Sequence, residues 1–267
     1  MPDATTPSRR GRRTWLIVGS LVTLPVLLFG ASNVASALAH EERTEVSTFD
    51  AAGLRSVDID NDSGSVRVVG VGEGDAVTVN AHISDGLRPT HHDVRREGDR
   101  LVVAASCPAF LADWCSVRYT VEIPSDVPVA VHADNGRVTV TDVGAAVEAS
   151  SDNGRVELAR IEGNIELRSD NGSVTATAIR QASRAEAMSD NGDVRLEFLD
   201  PPDDVVAASD NGSVEVVLPN TGELYEVDAH SDNGTVSTGG VGTRPGSSRT
   251  IRAESDNGDV TITYALD

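Results

Sequence analysis

Ser169-Asp170-Asn171-Gly172-Ser173-Val174, "SDNGSV", returns letter for letter at Ser209–Val214. Its core, Asp-Asn-Gly, occurs seven times, at Asn135, Asn153, Asn171, Asn191, Asn211, Asn233 and Asn257, with spacings of 18, 18, 20, 20, 22 and 24 residues. Self-similarity at such a period marks a stacked repeat, in which each unit buries its apolar face only against the next. Aligned on the asparagine, the third residue after it is valine in every unit, from Val138 to Val260. The fifth is Val140, Leu158, Ala176, Leu196, Val216, Thr238 or Ile262. Apolar residues also stand four and six before it, and two before it stands Ala133 and then a serine in each later unit, Ser151 to Ser255. Apolar residues at every second position on both sides of the DNG predict two strands per unit, each with one buried face.

The fold class expected is all-β, a β-solenoid in which like residues stack on like. The rival is an antiparallel meander or barrel, because DNG is also a two-residue hairpin signal. In the solenoid, continuing the alternation places serine and asparagine inward and aspartate outward. Gly136, Gly154, Gly172, Gly192, Gly212, Gly234 and Gly258 would then end the leading strand in the left-handed conformation. Asparagines stacked about 4.8 Å apart would hydrogen-bond as a ladder. Asp134, Asp152, Asp170, Asp190, Asp210, Asp232 and Asp256 would form an outer row that must be hydrated, tied into turns, or hold cations. Weak, millimolar Ca2+ binding is the metal expectation, since one aspartate per unit supplies few oxygens unless coils share an ion.

The later units grow on the side opposite the DNG, in Asp200–Asp204 ("DPPDD"), Pro219–Tyr225 ("PNTGELY") and Gly239–Ser248 ("GGVGTRPGSS"), the last containing Arg244. Insertions on one face of a repeat protein often carry binding, so these are the candidate partner loops. Upstream, Val57–Val69 reads as a degenerate copy with Asn61, Gly64 and Val66.

Residues 14–39 contain no charged side chain and follow Arg9, Arg10, Arg12 and Arg13. Such a segment is long enough to cross a bilayer with the basic tail, 1–13, on the cytoplasmic side. The alternative is a signal peptide cleaved near Ala39, after Ala37-Leu38-Ala39. Residues 40–128 are expected to form a membrane-proximal β region and 129–267 the DNG solenoid. Without the first 39 residues the chain carries 18 positive and 41 negative side chains. That balance argues against nucleic acid and anionic lipid as partners, and leaves an unknown surface protein or glycan. Cys107 and Cys115, the only cysteines, predict a disulfide in an exported chain, contributing about 2.5 kcal/mol in the loop-entropy estimate.

The uncharged segment, "SGSV" at Ser63–Val66, "CP…WCSVRYTVEIP" from Cys107 to Pro124 and the DNG units resemble the bacterial putative-adhesin family of unknown function. The resemblance spans roughly residues 44–267. It implies β-strand repeats, tethering to the envelope and surface interaction, and it brings no catalytic residues. The function expected is a non-catalytic, outward-facing interaction scaffold. The alternatives are a sensor or accessory of an envelope-stress pathway and, third, a carbohydrate-active β-helix enzyme. For the last, Asp152, Arg155, Arg168 and Asp170 lie close in repeat space, but as recurring architecture. His91-His92-Asp93 is the one histidine cluster in sequence, and neighbours on a strand face opposite ways.

Overall fold

The computed structural model describes residues 40–72, 74–86, 88–108 and 114–265, together with eight positions between 19 and 30. Those eight are helical and exposed; the expected anchor at 14–39 otherwise lies outside the described residues, as does the basic tail. Among the described residues no helix is long and apolar enough to cross a membrane.

The first strands are β1 (Glu41–Asp50), β2 (Ser56–Ser63), β3 (Val66–Gly70), β4 (Ala76–Asp85), β5 (His91–Glu97), β6 (Arg100–Ser106) and β7 (Ser116–Ile123). The repeats supply β8 (Val129–Asn135), β9 (Val138–Thr141), β10 (Val147–Ser151), β11 (Val156–Glu162), β12 (Ile165–Ser169), β13 (Val174–Arg180) and β14 (Arg184–Ser189). They continue with β15 (Val194–Phe198), β16 (Asp204–Ser209), β17 (Val214–Leu218), β18 (Glu226–Ser231), β19 (Val236–Ser237), β20 (Thr250–Ser255) and β21 (Val260–Tyr264). Each DNG joins a strand of one sheet to a strand of the other. The sheets run β1-β4-β7-β3-β9-β11-β13-β15-β17-β21-β19 and β18-β20-β16-β14-β12-β10-β8-β2-β6-β5. Between coils the pairing is parallel and in register: Val138 lies beside Val156, Val156 beside Val174, and Ala149 beside Leu167. The chain is a β-solenoid, and the antiparallel meander is excluded for the repeats. Among the described residues, antiparallel pairing occurs only where β4 and β1 extend one sheet and β5 the other.

Between the sheets lies one apolar cluster, built mainly of valine, alanine, leucine and isoleucine. A two-sheet interior this narrow is filled by small and β-branched side chains, which explains an aromatic content of only 3%. Cys107 and Cys115 are joined in a disulfide beside the start of β7.

The coils do not stack in chain order at either end. β6 and β7 lie outside β2 and β3, and the Asn257 coil (β20, β21) lies between the Asn211 coil (β16, β17) and the Asn233 coil (β18, β19). The 22- and 24-residue spacings supply the slack: Pro219–Tyr225 steps past one coil position, and Gly239–Ser248 leads the chain back. This order has an energetic reason. Inward positions of the Asn257 coil are Ile251, Ala253, Val260 and Ile262, all buried. Those of the Asn233 coil are Val227, Ala229, Val236 and Thr238, a poorer apolar set, and that coil takes the outer place where Val236 remains exposed. Burying the richer face on both sides is the arrangement the hydrophobic effect favours.

Candidate interaction surface

Two expectations for the DNG corner are corrected. The asparagines are exposed rather than inward-facing, because the buried alternation of the leading strand stops at the serine and does not reach them. The DNG glycines are not left-handed; none has a positive φ. Glycine is required there because backbones of adjacent coils approach too closely for a Cβ. One added at Gly172 would stand 2.3 Å from the Gly154 carbonyl oxygen, and one at Gly154 would stand 2.0 Å from that of Gly136.

That contact is bridged from the side by the buried serines. Ser151, Ser169, Ser189 and Ser209 Oγ donate to the carbonyls of Gly136, Gly154, Gly172 and Gly192 at 2.8–2.9 Å, satisfying a hydroxyl and an oxygen at once. Ala133 lacks the hydroxyl, and Asn61, beside it in register, supplies the donor by reaching the Gly64 carbonyl at 2.9 Å. Asn61 therefore occupies the serine column, and Ser63 pairs with Asn135, which corrects the register expected for the degenerate copy. Outside, the asparagine ladder is continuous: each Nδ2 donates to the Oδ1 of its neighbour from Asn153 to Asn135 and onward through Asn171, Asn191, Asn211, Asn257 and Asn233, at 3.1–3.2 Å.

The aspartates line the same corner. Arg168 lies 3.2 Å from Asp170 and 3.1 Å from Asp190, relieving the row at its middle. At the ends stand histidines, His132 Nε2 at 3.1 Å from Asp134 and His230 Nε2 at 2.8 Å from Asp232. His132, Asp134 and Asp152 place one ligand atom each within 4.8 Å of one another. His132 is not among the residues expected from the sequence; the signal available there is a His-x-Asp pair two residues apart on one strand, hence on one face. The adjacent His91 and His92 do face opposite ways. His91 is exposed, while His92 Nδ1 meets the Tyr119 hydroxyl at 2.7 Å. Burial holds the His92 imidazole below its usual pKa, and burial pushes the Tyr119 phenol well above its own. Arg155 pairs with Glu157 and Arg168 with Asp170 and Asp190, so the two arginines considered for glycan chemistry are held by different acids.

At the far end the three long loops meet. Arg249 Nη1 donates to the carbonyls of Pro201 and Pro202 at 3.1 and 2.9 Å and to the Asp203 carboxylate, and its Nε lies 3.6 Å from Glu223. Tyr225 N donates to Gly242 O and Arg244 N to Tyr225 O, fastening Pro219–Tyr225 to Gly239–Ser248. Asp200 lies 3.6 Å from Arg180, and Asp204 accepts from Arg184 at 2.6 Å, while Gly239 takes a left-handed φ of 52°. Tyr225, expected on the partner surface, is instead fully buried, with its pKa pushed up to about 12 by that burial and its hydroxyl without a partner among the described residues. The insertion anchors itself through this ring and presents the preceding Leu224, which is exposed. Beside the loops, Val227, Ala229, Val236, Thr238, Arg244 and Pro245 line a groove of roughly 450 Å³ along the outermost coil.

The family described as Toastrack DUF4097 matches residues 127–263. None of the curated proteins matches the chain. Among solved structures it is similar to a putative adhesin from Bacteroides fragilis, at 15% identity over 84% of this chain and 97% of that one, with a TM-score of 0.49. It is also similar to a putative cell adhesion protein from Clostridium sporogenes, at 11% identity over 84% of this chain and 100% of that one, with a TM-score of 0.45.

Proposed function

The chain belongs to the Toastrack family DUF4097, and from that premise we propose that it is an envelope-anchored, outward-facing scaffold that binds a surface partner without catalysis. The observation that carries this reading is the joining of three long loops by Arg249 beside an outermost coil that nothing covers among the described residues. The stack spaces this end away from β1, at the opposite edge of its sheet, and the loops present exposed Leu224 and Arg244. Preorganised loops on a rigid support lose less entropy on binding. The uncharged 14–39 segment and the disulfide support an exported, tethered chain.

The test is attachment. Cells lacking the chain are complemented with wild type, with Arg249→Ala, or with Leu224→Ser and Arg244→Ala together, and scored for aggregation and for adherence to surfaces coated with their own envelope. Loss in both loop variants, at equal surface level, supports the scaffold. Attachment equal to wild type in both contradicts it. Protease added to intact cells should remove the solenoid; complete protection contradicts an outward-facing domain.

A further inference from the structure

We propose that His132, Asp134 and Asp152 form a site for one divalent transition-metal ion of the zinc class. His132 and Asp134 lie two residues apart at the end of β8 and so share a face. The in-register bond from Asn153 N to Asp134 O, 2.8 Å, sets Asp152 directly beside Asp134 on the next coil. All three ligand atoms fall within 4.8 Å of one another, and ligands at metal bond lengths of 2.0–2.2 Å in a tetrahedron stand about 3.4 Å apart. Small side-chain rotations close that difference.

A second observation points to a ligand. His132 Nδ1 lies 2.9 Å from Ser150 Oγ, on the same neighbouring coil that carries Asp152. Metal-binding histidines characteristically use the second ring nitrogen in this way, which fixes the ring and aims Nε2. His132 Nε2 lies 3.1 Å from Asp134 Oδ1, so an ion bound here would take the place of the proton between them while Nδ1 stays with Ser150. The site also opens to solvent, because the His132 and Asp134 side chains are each 44% exposed.

The other end of the row provides an internal comparison. His230 and Asp232 repeat the His-x-Asp spacing beside Asp256, yet among the described residues only the His132 group brings three ligand atoms together. In register, His132 faces Ser150, whereas His230 faces Glu254, whose carboxylate lies 3.6 Å from Arg252. One imidazole with two carboxylates suits zinc, which takes mixed nitrogen and oxygen ligands and leaves coordination open to water. Calcium requires six to eight oxygens, and three side chains fall short of that.

The experiment is calorimetric titration of Zn2+ into the full, untagged chain in detergent, repeated with Co2+ while following its visible absorption. Wild type should bind with a saturable site that His132→Ala weakens by about a hundredfold and Ser150→Ala by about tenfold, the range over which ligand and outer-shell changes act. His230→Ala should leave the affinity unchanged, and the Co2+ absorption should vanish with His132→Ala alone of the two. Circular dichroism verifies that each variant folds; Asp152→Asn replaces His132→Ala if the latter does not. Absence of saturable binding, or binding that survives both His132→Ala and Asp152→Asn, overturns the proposal.

Discussion

Asn257 Nδ2 donates to Asn211 Oδ1 at 3.1 Å across 46 residues of chain, while Asn233, nearer to Asn211 in sequence, lies one coil further out and donates to Asn257 instead. The last segment of the chain thus completes the solenoid from within. This exchange of places decides which loops meet at the end, since Arg249, which opens the returning segment, binds the Asp200–Asp204 loop on one side and Glu223 on the other.

Gly172→Ala should destabilise the chain by about 3 kcal/mol or more, the upper range of overpacking, because the new Cβ would meet a backbone oxygen that has coils on both sides of it. Gly234→Ala meets a similar contact at 2.1 Å but lies in the outermost coil, which can shift outward. Denaturant unfolding of the two variants should rank Gly172→Ala as clearly the more costly; equal losses would mean that the coils are not close-packed along the glycine column.

Asn171→Asp is expected to cost more than Asn171→Ala. The amide donates to Asn153 Oδ1 and to the Asp152 carbonyl, and a carboxylate there would set an acceptor against two acceptors. Loss of the donor alone is expected to cost about 0.5–1.5 kcal/mol. Thermal unfolding of both variants distinguishes a ladder from mere turn propensity, for which the order would reverse or vanish.

Tyr225→Phe should leave stability unchanged or raise it by about 1 kcal/mol, since the hydroxyl is buried without a partner among the described residues. Tyr225→Ala should cost about 3–5 kcal/mol and free the Pro219–Tyr225 loop. Chemical denaturation tests the pair, and a marked loss in Tyr225→Phe would show that the hydroxyl is bonded in solution.

His92 gives the stability a pH dependence of determined sign. Its folded pKa lies below the ordinary 6.5, chiefly through burial, so the unfolded chain binds the proton more readily. Its contribution is complete above pH 6.5 and declines as pH falls towards the folded value. His92→Gln should flatten the fall in melting temperature between about pH 7 and pH 5 relative to wild type; an unchanged slope would assign it to other groups.

The alternation around each DNG makes the two sheets and their inward faces legible, because burial at every second residue is written directly in valine, alanine and serine. The corner itself is not legible in the same way. Nothing in a single unit reveals that Gly172 is needed for its neighbour's oxygen rather than for its own φ, or that Asn171 leaves the alternation before turning outward. Both are properties of the stack. Coil order is hidden for the same reason: Ile251 and Ile262 against Ala229 and Thr238 hint at which coil merits the inner place, but spacing alone suggests sequence order. His132 stays inconspicuous because its partners Ser150 and Asp152 reach it only across coils.

The exchanged coil order is tested most directly by cysteine pairing. Ala208 and Glu254 are register partners on neighbouring strands, and His230 is the next partner beyond Glu254. Ala208→Cys with Glu254→Cys should oxidise to a disulfide within the chain, detected by mass spectrometry of digested, unreduced protein. Ala208→Cys with His230→Cys should not, because two strand spacings, about 9.6 Å, exceed the roughly 7 Å limit between disulfide-bonded Cα atoms. Efficient bridging in the Ala208→Cys, His230→Cys variant, with none in the Ala208→Cys, Glu254→Cys variant, would contradict the account, restoring sequence order to the stack and separating the loops on which the proposed surface depends.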